Sequence, residues 1–142
     1  MLNDLESIED FIKRHHVMSL ATSIPYEISV CSLFFSYDKK TKSFIVASSD
    51  ETLHIKHILQ NKNIAGNILL ETKNVAEIQG LQFRGEFSPL EDKDLEKHYF
   101  QDFPYAKEMS PKLWQIKVKH FKLTDNTLGF GKKILIDLEK IS

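Results

Sequence analysis

Apolar and polar residues alternate along most of this 142-residue chain, with the period of two that is typical of half-buried β-strands. The clearest case is LWQIKVKHFKLT, in which Trp114, Ile116 and Val118 share one face. Further β-rich runs occupy residues 17–23, 27–38, 44–49, 63–70, 78–90 and 128–138. The pattern predicts six or seven short strands, with Gly80 and Gly85 expected at bends or bulges.

A helical period replaces this alternation in three short segments. The first covers residues 2–14, where Asn3 and Glu6 have the spacing of a capping box. The second lies within residues 50–63 and the third within residues 91–103. Strands and helices do not alternate regularly, so the sequence predicts a mainly β (α+β) fold. We expect an antiparallel barrel of six to seven strands with short peripheral helices, in one domain spanning residues 1–142.

The predicted size of the barrel restricts where a ligand can bind. Barrels of about eight strands or fewer are filled by their own side chains. A sizeable ligand is therefore expected outside the barrel, in a groove or at a boundary between subunits.

Composition narrows the classes of partner. Hydrophobic residues make up 42% of the chain, which is ordinary for a soluble globular protein. The net charge of −1 argues against a broad surface for nucleic acid or for anionic membrane. The N-terminal segment has neither the basic start nor the apolar core of a signal peptide, and one cysteine allows no internal disulfide. These features predict a soluble cytoplasmic domain. Only Arg14 and Arg84 among the 19 basic residues are arginines, so bidentate guanidinium contacts to an anion are scarce.

The stretch TDNTLGFGKK invites comparison with phosphate-binding glycine loops. The dinucleotide fingerprint needs a third glycine where Ile134 stands, and the P-loop needs glycine at Asn126 and Ser or Thr at Lys133. Both motifs fail. Read as a strand, the segment places Gly129, Gly131 and Lys133 on one side and anchors Phe130 in the core on the other. Such a strip suits a planar ligand or another backbone, while a bulge or a tight subunit contact is the simpler alternative.

A second candidate for anion binding is SSDETLHIKH, where a strand passes into a helix. It offers the hydroxyl groups of Ser48, Ser49 and Thr52 and the imidazole of His54. An ordinary capped helix start would use the same residue types. His54 and His57 have a spacing that can serve a metal, but no third ligand accompanies them, and no metal site is predicted.

Two further residues are assigned to the core. Cys31 lies in an apolar strand without an evident base, so a buried and inert thiol is expected. Trp114 is also expected to be buried, in which case its indole N–H needs a hydrogen-bond partner.

The order of elements resembles the FMN-binding split barrel of the pyridoxamine 5′-phosphate oxidase-like superfamily. GLQFRGE and LTDNTLGFGKK are similar to segments of the uncharacterised YhbP-like subfamily, and the resemblance covers essentially the whole chain. It implies a homodimer that binds FMN at the subunit boundary.

The resemblance also implies a set of ligand-binding positions. It places the FMN phosphate at Ser48, Thr52 and His54, where His54 stands at the position of a usual lysine. It places the flavin ring along the backbone around Ser32 and near the side chain of Gln82. The positions that it assigns to the partner subunit are Trp114, Asn126, Gly129, Gly131 and Lys133.

Three functional hypotheses follow. The first is a flavin-dependent oxidoreductase of unknown substrate; pyridoxamine 5′-phosphate oxidation itself is disfavoured, because no arginine follows Arg84. The second is a non-catalytic module that binds haem or another planar ligand. The third is an interaction protein with an empty groove.

Overall fold

The computed structural model describes residues 3–140, in which strands of a single antiparallel sheet are flanked by three α-helices. The elements are α1 (Asp4–Lys13), β1 (Val17–Ile24), β2 (Glu27–Phe34), β3 (Ser36–Asp38), β4 (Ser43–Ala47), α2 (Leu53–Ile58), β5 (Asn63–Leu70), β6 (Gln79–Pro89), α3 (Lys93–Asp102), β7 (Leu113–Asp125) and β8 (Lys133–Asp137). The predicted class, a mainly β antiparallel barrel with short helices, is confirmed. Eight strands are seen within residues 3–140, because the run 27–38 divides at Phe35 into β2 and the three-residue β3.

The sheet closes on itself because consecutive strands lie at its two ends. The strand order is β2-β1-β5-β6-β7-β4-β3, and β8 pairs with the second half of β7. Since β3 follows β2 after a single residue, the chain itself joins the two edges of the sheet. The result is a barrel with a split between β2 and β4.

Aromatic side chains fill the interior of the barrel. The ring of Phe44 lies 5.2 Å from that of Phe35 and 4.7 Å from that of Phe83, measured between centroids. Trp114 and Phe121 are buried in the same cluster. The buried indole N–H of Trp114 donates to the carbonyl oxygen of Ser48 at 3.0 Å, which is the partner that the sequence required.

The first helix packs as its pattern predicts. Asn3 Oδ1 accepts a hydrogen bond from the Glu6 amide at 2.8 Å, and Glu6 Oε2 accepts from the Asn3 amide at 3.3 Å, which is the predicted capping box. Ile8, Phe11 and Ile12 are buried against the sheet. Leu2, which shares the predicted apolar face, lies outside the described residues.

A bulge divides β7 into two halves with opposite alternation. The pairing of β6 with β7 shifts register between Arg84 and Gly85, so that Lys119 has no counterpart on β6. Val118 and Phe121 are consequently both buried, three residues apart. The bulge predicted at Gly85 is confirmed, whereas Gly80 lies in regular pairing and its predicted bend is wrong.

The predicted strand over residues 128–138 is wrong in its first half. Asn126–Leu128 form a 3₁₀ turn, and Gly129 and Gly131 have φ of 131° and 73°, backbone conformations that favour glycine over any other residue. Regular strand β8 begins only at Lys133. Phe130 is therefore not a core anchor: its side chain is 85% exposed at the tip of the turn.

Candidate functional site

The split between β2 and β4 presents a free strand edge. β2 pairs only with β1 among the described strands, so the backbone groups along its other edge have no strand partner. β3 pairs with β4 in a register that joins Ser36 to Ile45. If this register continued backwards into β2, Ser48 would lie opposite Leu33. β2 contacts both β4 and α2, so its free edge lies beside the junction of these two elements.

Three predicted site residues converge at that junction. The Nε2 atom of His54 lies 2.5 Å from the hydroxyl oxygen of Ser48 and 3.3 Å from that of Thr52. The hydroxyl of Thr52 donates to the carbonyl oxygen of Ser49 at 2.8 Å, which closes the turn that leads into α2. Ser48, Thr52 and His54 therefore form one connected polar cluster, although they span seven positions of sequence (48–54).

Burial favours the neutral form of the His54 imidazole. Only 8% of the residue is exposed, and burial together with the neighbouring His57 lowers its pKa. Neutral imidazole can offer one N–H donor but no positive charge. An anion at this junction would therefore be held by hydrogen bonds rather than by an ion pair with His54.

His57 ties α2 to the first hairpin. Its Nδ1 atom lies 2.9 Å from the buried hydroxyl of Thr22, and its Nε2 atom lies 2.6 Å from a carboxylate oxygen of Glu27. Each ring nitrogen thus has a partner on β1 or β2, and the ring is 1% exposed. The helix that carries His54 is fixed relative to the β2 edge by this Thr22–His57–Glu27 chain.

Acidification is expected to destabilise the protein through His54. Its folded-state pKa lies below the ordinary 6.5, so the unfolded chain takes up this proton at a higher pH than the folded chain does. The free energy of unfolding should therefore fall as the pH drops below about 6.5. Urea denaturation across that range should show a smaller fall for His54→Gln than for the wild type, whereas the exposed His16→Gln serves as the control. Equal falls in wild type and His54→Gln would contradict this assignment.

The outer face of the sheet carries a row of polar side chains. Successive cross-strand pairs join Ser32 to Ser19, Ser19 to Asn67, Asn67 to Gln82 and Gln82 to Lys122. Part of this row lines a groove of about 630 Å³, whose floor includes the small residues Ala21, Ala65 and Gly66. Ser32 and Gln82, which are both predicted near a ligand ring, therefore lie in one row, three strands apart.

Large apolar side chains are exposed on the same outer face. The most exposed is Ile28, at 81%. The set comprises Val17, Ile28, Val30, Phe34, Leu69 and Leu135. Large apolar side chains exposed together on one face of a sheet favour an interaction site there.

The turn between β7 and β8 is ordered by Asn126. Its Oδ1 atom accepts from the Gly131 amide at 2.9 Å, and its Nδ2 group donates to the Val75 carbonyl at 2.7 Å. Lys133 starts β8 opposite Thr124 and is exposed. Asn126, Gly129, Gly131 and Lys133 thus lie together in one rigid turn.

This turn lies far from the Ser48–Thr52–His54 cluster within one protomer. Trp114, which contacts Ser48, and Asp125, which begins the turn, are separated by eleven positions of β7. At about 3.3 Å per residue this corresponds to roughly 36 Å along an extended strand. The predicted site residues therefore form two groups, the Ser48–Thr52–His54 cluster with Trp114 and the β7–β8 turn. Ser32 and Gln82 belong to neither group and lie on the outer face of the sheet.

Relatives of known sequence support one family assignment, although no family model matches the chain. The UPF0306 protein of Enterobacter sp. (strain 638) is 35% identical over 136 residues, which are 94% of this chain and 96% of that protein. The UPF0306 protein of Klebsiella pneumoniae (strain 342) is 33% identical over 136 residues, 94% of this chain and 92% of its own length. The chain belongs to the UPF0306 family.

Solved structures share the fold of this UPF0306 chain at low sequence identity. A haem-binding protein from Mycobacterium smegmatis has a TM-score of 0.80 and 13% identity, over 98% of this chain and 60% of that one. A FAD-binding protein from Mesorhizobium loti has a TM-score of 0.71 and 13% identity, over 86% and 92% of the two chains. A putative pyridoxamine 5′-phosphate oxidase from Listeria innocua has a TM-score of 0.66 and 14% identity, over 82% and 94%. The UPF0306 chain therefore has the pyridoxamine 5′-phosphate oxidase-like split-barrel fold.

The Cys31 thiol and the helices of the UPF0306 chain bear on two further predictions. Cys31 is half-buried against the core cluster, and burial raises the pKa of its thiol, as expected for an unreactive group. None of the described helices is long and apolar enough to cross a membrane.

Sequence reasoning missed Thr22 and Glu27. They precede their partner His57 by 35 and 30 residues, so no local pattern joins them.

Trp114 was expected in the core with a partner for its N–H, and this prediction is confirmed. Its ring is 1% exposed and its N–H donates to the Ser48 carbonyl. The ligand-binding role that the resemblance gives it as part of the partner subunit stays a prediction.

Proposed function

We propose that this UPF0306 protein is an FMN-binding homodimer and a flavin-dependent oxidoreductase. The observation that carries the proposal is the split, where the unpaired edge of β2 lies beside the Ser48–Thr52–His54 cluster. A free strand edge offers amide and carbonyl groups in a line, which suits the polar edge of a flavin ring. The hydroxyl and imidazole groups of the cluster bond to one another and to the Ser49 carbonyl, and they would turn to donate to the phosphate when it binds.

The residues present fit a phosphate group, but with little positive charge. Ser48 and Thr52 supply hydroxyls, and His54 supplies one N–H in its neutral form. Lys112 lies just before β7, and its carbonyl oxygen accepts from the Ser48 amide at 3.1 Å. Its ammonium group forms an ion pair with Asp50 at 3.0 Å and lies over the Trp114 ring. The proposed affinity for the phosphate therefore rests on hydrogen bonds, and FMN should bind less tightly than it would to a site with a lysine at position 54.

Bound FMN would supply hydride or electron transfer, and the protein would supply position and polarity. The β2 backbone around Ser32 would orient the ring. Gln82 lies three strands from β2 on the outer face, so its side-chain amide would reach the ring only from the partner protomer. A substrate would approach the exposed face of the ring from the groove.

Homodimer formation is supported by the outer face of the sheet. Its exposed apolar side chains, such as Ile28, Val30 and Leu135, would be removed from water if two copies packed face to face. Such packing would also bring the β7–β8 turn of one protomer towards the split of the other. A composite site of this kind would unite the two groups of residues that one protomer keeps apart.

The first test is ligand binding by the purified wild-type protein. FMN titration should give saturable binding and a rise in melting temperature. Haem provides the alternative arm, because the Mycobacterium smegmatis neighbour is a haem-binding protein. A Soret band on haem addition without any response to FMN would favour the haem-binding module over the flavoprotein.

Thr52→Ala is expected to weaken FMN binding about fivefold, the equivalent of losing one hydrogen bond worth about 1 kcal/mol. Riboflavin, which lacks the phosphate, should bind both proteins with equal affinity. Thr72→Ala, whose hydroxyl accepts only from the Asn74 amide in the β5–β6 loop, is the matched control. Unchanged FMN affinity in Thr52→Ala would remove this residue from the phosphate site.

A further inference from the structure

A second cleft lies between α1, the β2–β3 junction and α3. Its volume is about 650 Å³, within the range of small-molecule sites. The buried side chains of Ile12 and Phe35 line it, and Phe103 stands at its side. None of its lining residues belongs to the proposed flavin site.

Two carboxylates at this cleft are already committed to partners. Glu9 is 6% exposed, and its Oε2 atom accepts from the Tyr37 hydroxyl at 2.7 Å and from the Lys42 ammonium at 2.9 Å. Asp38 Oδ2 accepts from the amide and the hydroxyl of Thr41, at 2.8 and 2.7 Å. These oxygens have little capacity left for a ligand.

The third carboxylate is committed as well. Asp102 Oδ2 accepts from the Ser36 hydroxyl at 2.6 Å. His98 lies between two of the acids, with ring nitrogens 3.9 Å from Asp38 and 3.7 Å from Asp102. Whenever His98 is protonated, it offsets part of their negative charge.

The cationic groups at the cleft have no such partners. Lys13, Lys39 and Lys40 line it, and none forms an ion pair with a carboxylate of the described residues. The rim of the apolar floor therefore carries three lysines without ion-pair partners in the described part of the chain, and these outnumber Asp38 and Asp102, the two carboxylates at the cleft that pair with no lysine there.

We propose that this cleft binds a small organic anion, a carboxylate or a phosphate ester carried by an apolar or aromatic body. The anionic group would lie among the ammonium groups of Lys13, Lys39 and Lys40. The body would lie on Ile12 and Phe35. This site is independent of flavin binding.

Calorimetry and amide NMR on the full chain, with benzoate, phenyl phosphate and neutral benzamide, test the proposal. At least one anion should bind saturably with a Kd of about 1 mM or lower, and benzamide about tenfold more weakly. The relative affinities of benzoate and phenyl phosphate distinguish a carboxylate from a phosphate ligand. Shifted amide signals should cluster at residues 12–16, 35–40 and 98–103.

The double variant Lys39→Gln/Lys40→Gln should weaken anion binding by about tenfold, and both residues are exposed, so the fold should persist. Lys73→Gln/Lys107→Gln removes the same charge from exposed positions outside the cleft and should leave the affinity unchanged. Equal weakening by both pairs, benzamide binding as tight as that of the anions, or no saturation up to about 10 mM would each overturn the proposal.

Discussion

Replacing Gly85 by alanine is expected to lower the free energy of unfolding by about 3 kcal/mol and the melting temperature by roughly 10 °C. A Cβ atom at this position would meet the carbonyl oxygen of Lys117 and lie 3.0 Å from its carbonyl carbon and 3.2 Å from Val118 Cα. These are backbone atoms of the neighbouring strand, so they cannot move aside as a flexible side chain can. The strain would distort the bulge, which determines the residues of each half of β7 that face the core.

Gly80→Ala is the matched control on the same strand. Its Cβ would lie 3.6 Å from a methyl carbon of Leu69, an ordinary van der Waals contact. Thermal denaturation of the two variants beside the wild type should therefore show a large loss for Gly85→Ala and little change for Gly80→Ala. Similar melting temperatures for the two variants would contradict the close approach of β6 and β7 at the bulge.

The difference between these two glycines shows why sequence reasoning located the strands better than their irregularities. Alternation depends on neighbouring residues, so the face of Trp114, Ile116 and Val118 could be read directly. The bulge depends on how β6 pairs with β7, and both glycines satisfy the same local rule. Only the register shift after Arg84 distinguishes Gly85 from Gly80.

The glycines of the last turn were misread for a related reason. A strand and a tight turn both accept Gly129 and Gly131, and the β-branched residues that follow favoured the strand. The turn is decided by contacts distant in sequence, such as the hydrogen bond from the Asn126 side chain to the Val75 carbonyl. Phe130 is exposed as a consequence, whereas strand alternation had placed it in the core.

In the candidate site, too, contacts between residues close in sequence were predictable and contacts between distant residues were not. The Ser48–Thr52–His54 cluster was predictable, because one strand-to-helix turn brings its members together. The neutral state of His54 was not, because it follows from burial and from His57, which is anchored by Thr22 and Glu27. Whether the β7–β8 turn belongs to the same site depends on a second protomer, which no sequence pattern of one chain reveals.

Mixed dimers are expected to recover FMN sites of wild-type affinity, which neither parent variant has, if one protomer supplies Thr52 and its partner supplies the β7–β8 turn. The two parents are Thr52→Ala and the turn variant Phe130→Ala/Lys133→Ala, whose side chains are exposed. In a mixed dimer, one site contains both the Thr52 substitution and the turn substitutions, and the other site contains neither. Random exchange of equal amounts should therefore restore wild-type affinity at about a quarter of all sites.

The control for the turn variant is Tyr105→Ala/Lys107→Ala, which removes an exposed aromatic ring and an exposed lysine from the segment after α3. It should bind FMN like the wild type and give no recovery effect of its own. Fluorescence titration of FMN against the refolded mixture separates the two arrangements. A site built within one protomer predicts no restored fraction, because every protomer then carries one lesion in its own site. A two-phase titration containing a tight fraction requires that the two groups, which β7 separates by roughly 36 Å along the strand within a protomer, meet across the subunit boundary.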